Sequence, residues 1–274
     1  MNKVIRSIHE RRSIRKYQDK SIPRKYIDEI LEAGRAAPSA KNRQPWKYIV
    51  FGGGYKKDLL MAMEAGLERE ERGMTNLPKS QYGIPDARNT LRIMREAPVI
   101  IIILNTNARS PFMSVDNDGR IAEICDTLSI GASVENMLLA AEELGLGTLW
   151  VANTCFAYQE IVSYLDTKDQ LVGAIAVGYA DEKPPQRPRK QLEEIAEYRR
   201  GGYYYEMEKS SFFACFSVPF MFEYSMCGQR GIFYWRSGRN RRDKRDKSEK
   251  RDTGGHITTL FFHRAYCLCF FCQY

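Results

Sequence analysis

Six consecutive residues, Val99–Leu104 (VIIIIL), are apolar, and the first five are β-branched. A strand that shows one side to water alternates apolar with polar, so a run with no polar position reads as a central strand buried on both faces. Cover is therefore needed above and below it, and helical patterns elsewhere in the chain can supply it. Val4, Ile5 and Ile8 suggest a short first helix ending near Arg11. A second begins at Pro23, carries Ile27, Ile30 and Leu31, and stops before Pro38, because the residue ahead of a proline is pushed out of the helical region. Trp46–Phe51 (WKYIVF) reads as a strand closed by three glycines, with a helix through Met61 after it.

A helix from Asp86 leads into the VIIIIL strand. From Asp118 to Leu144 runs a long helix with Ile121, Ile124, Leu128, Met137, Leu138 and Ala141 available for burial, ended by Gly145 and Gly147. Two more buried strands, TLWVA and LVGAIAVGYA, flank a short helix around Tyr158–Tyr164. Alternation of this kind predicts an α+β domain, a three-layer α/β/α sandwich around one central mixed sheet. Gly66–Asp86 and Asn105–Asp118 are polar and glycine-punctuated, and are expected to be mobile connections or lids.

The net charge of +8 belongs mostly to one end. Residues 1–210 hold 31 Lys and Arg against 29 Asp and Glu, whereas residues 211–274 hold 11 against 5. Cys125 and Cys155 lie in the body and the other five cysteines in the tail. Two distant cysteines make no disulfide framework, which fits a reducing compartment. No apolar run reaches the ~20 residues of a membrane span, and MNKVIRSIHERR lacks the apolar centre of a signal peptide, so a cytoplasmic protein without membrane contact is expected.

Three stretches carry chemistry. In HERRSIRKY, Arg11, Arg12, Arg15 and Lys16 surround the Ser13 hydroxyl where a helix gives way to extended chain, an arrangement suited to an anion. In APSAKNRQPW, small Ser39 and Ala40 allow close approach to a flat ligand, and the amides of Asn42 and Gln44 can pair with a heterocycle edge. In PPQRPRKQLEE, three prolines hold the backbone extended, which sends Arg187 and Arg189 to one side, as bidentate phosphate capture requires.

Taken in order, with NMLLAAEELGLGTLW (Asn136–Trp150) between the last two, these stretches resemble the nitroreductase family of FMN-dependent oxidoreductases over residues 3–200. The resemblance implies FMN as cofactor, NADH or NADPH as electron donor, and a homodimer with its flavin sites at the interface. Arg11 and Ser13 would contact the phosphate, Arg12 the ribityl chain or phosphate, and Arg15 the flavin N1 and C2 carbonyl. Arg187 and Arg189 would complete the phosphate site. Pro38, Ser39 and Ala40 would reach the flavin of the other subunit, with Asn42 and Gln44 in the same loop. Main-chain groups of Trp150, Val151, Ala152 and Asn153 would face the ring, with Asn89 and Thr90 near a further contact. No side chain is assigned as catalytic, since flavin N5 carries the hydride.

The implied activity is ping-pong reduction of nitroaromatics, quinones or similar small acceptors. A more specialised flavoenzyme of the same fold, such as a reductive dehalogenase or a flavin-handling enzyme, is the alternative within the family. The matched domain is expected to span 1–205. Residues 206–274 lose helical and strand periodicity and read as an atypical, poorly packed extension, such as a shifted reading frame would produce. His263, Cys267, Cys269 and Cys272 lack the paired spacing of zinc modules, so no metal site is assigned. Binding of nucleic acid or an anionic surface through Arg239–Arg251 is the reading from a different class, weakened by Asp243, Asp246 and Glu249 among the cations and Asp252 beside them.

Overall fold

In chain order the computed structural model, which describes residues 2–199, runs through helix α1 (Lys3–Glu10), helix α2 (Arg24–Arg35), strand β1 (Trp46–Gly52), helix α3 (Gly53–Glu71) and helix α4 (Ile84–Glu96). Strand β2 (Val99–Asn105), helix α5 (Asn117–Glu143), strand β3 (Gly147–Val151), helix α6 (Tyr158–Tyr164) and strand β4 (Gln170–Gly178) follow. Local chemistry sets several ends. The Asn2 side chain accepts the Val4 N–H at α1 and Asp116 accepts the Gly119 N–H at α5, satisfying donors that a helix start leaves free. Gly145, at φ 72°, ends α5 in the left-handed region where a side chain would be strained.

The sheet order is β1-β2-β4-β3, and every pair of strands is antiparallel. The mixed character expected from sequence is confined to one parallel bridge, Ser13 with Thr148, at the β3 edge. Strand β2 does lie inside the sheet with both faces covered. Ile100, Ile102 and Leu104 pack with α3, α4 and α6, while Ile101 and Ile103 pack with α2 and α5. Alternation along a strand, applied to a run apolar at every position, thus produces two cores and three layers.

Two expectations need correction. Met137, Leu138 and Ala141 of α5 are buried, but Ile121, Ile124 and Leu128 are 63%, 47% and 70% exposed. Helix α5 is apolar around much of its circumference, and the sheet covers one side only. Ahead of Met137 its buried side carries Asp126, Ser129, Ile130, Ser133 and Val134 instead. On α1, likewise, Val4, Ile5 and Ile8 face outward and Ser7 is the buried residue.

The second correction concerns Gly66–Asp86. Residues 66–71 are the last turns of α3, Pro78–Gly83 forms a 3-10 turn, and α4 begins at Ile84. Gly66 lets α3 approach the next layer, since a Cβ there would stand 2.3 Å from that of Ala157. The polar residues that suggested a loop are tied to Glu70, which is fully buried. Glu70 pairs with Arg69 at 2.8 Å and accepts from the Thr75 hydroxyl, the Asn76 N–H and the Gln81 amide. Burial works against its charge, but the hydrogen bonds from Thr75, Arg69 and Asn76 outweigh it and hold the carboxyl below its ordinary range. The described residues through Tyr198 form one compact unit. The expected boundary at 205 and the readings of the tail, including His263, Cys267, Cys269, Cys272 and Arg239–Arg251, lie outside the described residues.

Candidate functional site

Arg11 closes α1, its N–H donating to the Ser7 carbonyl at 2.9 Å, and the chain then runs extended along the edge of the sheet. Ile14 donates its N–H to the Thr148 carbonyl at 2.9 Å, and Gln18 does the same to Tyr179. Glycines make this approach possible. A Cβ on Gly147 would lie 2.6 Å from Ile14, and one on Gly178 would lie 2.6 Å from Tyr17. Ile14 and Tyr17 are thereby buried, and the Tyr17 hydroxyl donates to the Ile14 carbonyl at 2.9 Å. Burial, with Glu182 nearby, pushes the Tyr17 phenol far above its ordinary range, so it stays a donor. With Ile14 turned inward, Ser13 and Arg15 are left on the outer side.

That outer side forms a cavity of about 300 Å³. Arg11, Arg12, Ser13 and Arg15 line it together with Arg187 and Arg189, from a segment more than 170 residues later in the chain. The arginines differ in how they are occupied. Arg12 donates to the carbonyls of His9 at 2.6 Å and Arg11 at 2.8 Å, and Arg189 to those of Arg187 and Pro188. Arg15 is held through its N–H by Glu182 and through its guanidinium by the Ser13 carbonyl at 3.0 Å. Arg11 Nε is buried with no hydrogen-bond partner, and its nearest carboxylate, Glu135, stands 3.6 Å away. Arg11 Nε is thus in an ion pair with Glu135 but without a hydrogen bond, beside a cavity lined by four further cationic side chains, those of Arg12, Arg15, Arg187 and Arg189.

Arg15 also lines a second cavity of about 200 Å³, with Trp150, Val151, Ala152 and Asn153. The other wall comes from the start of α4, through Asp86, Asn89 and Thr90. The Asn153 amide donates to Asp86 at 2.7 Å and to Thr90 at 3.1 Å, which fixes its orientation because a carboxylate can only accept. Behind it, Arg69 reaches the Phe156 carbonyl at 3.0 Å and Glu160 at 2.7 Å, so the buried network around Glu70 braces this wall.

Pro38, Ser39, Ala40, Asn42 and Gln44 line neither cavity. Their loop sits on α5, where the Ala40 N–H donates to the Ser129 hydroxyl at 3.2 Å. The structure therefore brings together two of the three sequence segments and leaves the third apart. It also adds residues that sequence reasoning passed over. Asp86 and Glu182 orient Asn153 and Arg15, and His9, at the end of α1, lines the basic cavity. Nothing local marks Asp86 or Glu182, since each acts on a residue distant in the chain. Among the described residues no cluster of His, Cys, Asp and Glu could hold a metal ion, and no helix is long and apolar enough to cross a membrane.

A family model described as "Nitroreductase family" matches residues 8–179. A protein of Methanothermobacter thermautotrophicus, assigned by name as an NADH dehydrogenase/NAD(P)H nitroreductase, is 32% identical over 147 residues, 54% of this chain and 59% of its own length. The chain thus spans about three fifths of that relative. The FMN reductase [NAD(P)H] of Bacillus subtilis is 23% identical over 205 residues, 71% of this chain and 73% of that protein. Among solved structures, a protein of Desulfovibrio desulfuricans assigned as a nitroreductase, in complex with FMN, aligns with a TM-score of 0.54 and 27% identity. That alignment covers 73% of this chain and 99% of the other.

Proposed function

The chain belongs to the nitroreductase family, and from that premise we propose that it is an FMN-dependent oxidoreductase that uses NADH or NADPH to reduce nitroaromatics, quinones or similar small acceptors. The observation that carries this reading is that Arg15 lines two cavities, one basic and one bordered by the end of β3 and the chain after it. A flavin mononucleotide has the matching division, a phosphate at one end and a flat ring at the other. The convergence of Arg11, Arg12, Arg15, Arg187 and Arg189 on one cavity supports the phosphate end.

In this reading Arg11, Ser13, Arg187 and Arg189 hold the phosphate and Arg12 flanks it toward the ribityl chain. Arg15 places positive charge near N1 and the C2 carbonyl, while Trp150, Val151, Ala152 and Asn153 border the ring. When bound, FMN supplies the hydride acceptor and donor at N5, so that donor and acceptor substrates use one cavity in turn, a ping-pong order. The protein's own share is to bind, orient and place charge. Arg15 favours the ring when it carries negative charge, because opposite charges attract strongly where water is partly excluded.

The same reading makes the enzyme a homodimer. Val4, Ile5 and Ile8 on α1 and Ile121, Ile124 and Leu128 on α5 are more apolar surface than one chain covers, and such surface marks an interface. Pro38, Ser39, Ala40, Asn42 and Gln44, which line neither cavity of their own chain, would then serve the partner's flavin. We assign flavin binding to residues 1–205 and the cytoplasm as the setting, the latter supported by the absence of paired body cysteines.

The test is the visible spectrum and kinetics of the purified full chain. Flavin absorbance at one FMN per chain, with parallel double-reciprocal lines for NAD(P)H against a quinone, is the expected result. A colourless protein that takes up no added FMN would overturn the reading.

A further inference from the structure

Among the described residues, four that are not glycine have positive φ, and three of them fall within one loop: Lys41 at 54°, Asn42 at 52° and Gln44 at 47°. Left-handed backbone is disfavoured for residues with a Cβ and persists only where the surroundings enforce it. Within the loop, the Ser39 hydroxyl accepts the Gln44 N–H at 3.0 Å. From outside it, two residues one turn apart on α5 hold it down. Ser129 accepts the Ala40 N–H, and Asp126 meets Arg43 at 2.7 Å. Arg43 also donates to the Ala122 carbonyl at 3.4 Å.

Asp126 is the unusual member. It is 2% exposed, and its Oδ1 aligns with no hydrogen-bond donor among the described residues, so the guanidinium of Arg43 acts on it as a counter-charge. A buried ion pair is a poor way to gain stability, because desolvation consumes much of the attraction and an apolar pair often does as well. It does fix geometry, since moving Arg43 away would leave a carboxylate buried without compensation.

We infer that the Arg43–Asp126 ion pair is a latch that holds the Pro38–Gln44 loop in its strained shape for the second copy's flavin site. Neither residue touches the flavin; both are positioning residues. The inference rests on the reading above that this loop serves the partner chain. Its chemistry explains the pairing of a strained loop with a buried charge. The strain would relax if the loop were free, and the ion pair supplies an attachment that tolerates no slippage.

Asp126→Asn is the informative substitution. It keeps the shape, removes the buried charge and lets Arg43, whose side chain is 36% exposed, turn to solvent, whereas Arg43→Met would strand the carboxylate. In the full-length holoenzyme, Asp126→Asn should raise the FMN dissociation constant about three- to tenfold. Amide exchange should accelerate in residues 39–44 and not in the sheet, and Arg43→Lys, which keeps the charge, should stay near the parent affinity. Unchanged affinity and exchange, or exchange that rises throughout the domain together with a fall in melting temperature, would overturn the latch.

Mixed dimers separate the latch from the reading beneath it. Pair an Arg11→Ala chain with an Asp126→Asn chain and titrate FMN. If the loop acts on the partner, both defects fall on one site and half of the flavin binds with parent affinity. If the loop acts within its own chain, each site carries one defect and none binds with parent affinity, which overturns action across the interface and leaves the latch in place.

Discussion

The basic cavity and the Pro38–Gln44 loop both follow the end of a helix and both are rich in polar groups, yet the loop lines neither that cavity nor the second one. Around the cavity the backbone is relaxed and pinned to the sheet edge by glycines, and distant arginines converge on it. In the loop the backbone is strained, the anchors are on one helix, and the residues line neither cavity. A site that must meet a ligand of its own chain can be built by ordinary packing. In the proposed dimer the loop would have to hold its shape before the second chain arrives, and strain and a buried ion pair are found in that loop.

The contrast can be broken most forcefully at the sheet edge. Gly147→Val would drive a side chain into Ile14 and push Ser13 and Arg15 off the edge. It should cost about 1–3 kcal/mol of stability, read by urea denaturation, and abolish stoichiometric flavin. Arg11→Ala or Arg189→Ala should leave the fold intact and weaken FMN about ten- to a hundredfold by fluorescence titration, the worth of a charge-assisted contact. Full occupancy at unchanged affinity in both would remove the phosphate from this cavity.

Glu70→Gln probes the brace behind the second cavity and should cost about 1–2 kcal/mol near neutral pH. The folded carboxyl is held below its ordinary range, so its contribution is complete above the unfolded value of about 4.3 and fades as pH falls through the folded value. Denaturation midpoints of parent and variant should therefore differ at pH 7 and converge in acid. Arg15→Gln should lower the flavin midpoint potential in a redox titration, because less positive charge remains to favour the reduced ring. The smallest effect belongs to the loop. Lys41→Gly should raise stability by about 0.5–1 kcal/mol, since glycine adopts φ 54° without penalty, while flavin binding weakens. A calorimetric scan and an FMN titration on one sample measure both.

Much of this was readable along the chain. VIIIIL announced a strand with two covered faces, and β2 separates two cores. Arg11, Ser13 and Arg15, two residues apart in extended chain, were readable as sharing one side, as were Arg187 and Arg189, and all five line one cavity. Glu182 and Asp86 were not, because a carboxylate that orients another residue has no local pattern of its own. Gly66–Asp86 looked like a loop for a related reason. Arg69, Thr75, Asn76 and Gln81 are spent on a buried glutamate, and burial cannot be read from polarity.

Periodicity and motif chemistry thus determined the strands, the helices and the arginines that share one side of the chain, since these follow from which side of an element each residue occupies. Tertiary structure decided which sides meet. It turned Ile121, Ile124 and Leu128 outward, because a sheet covers one side of a helix and α5 is apolar on more than one. It set the Pro38–Gln44 loop apart from the cavities of its own chain, because Asp126 and Ser129 anchor it on α5, a placement that depends on contacts across more than 80 residues of sequence.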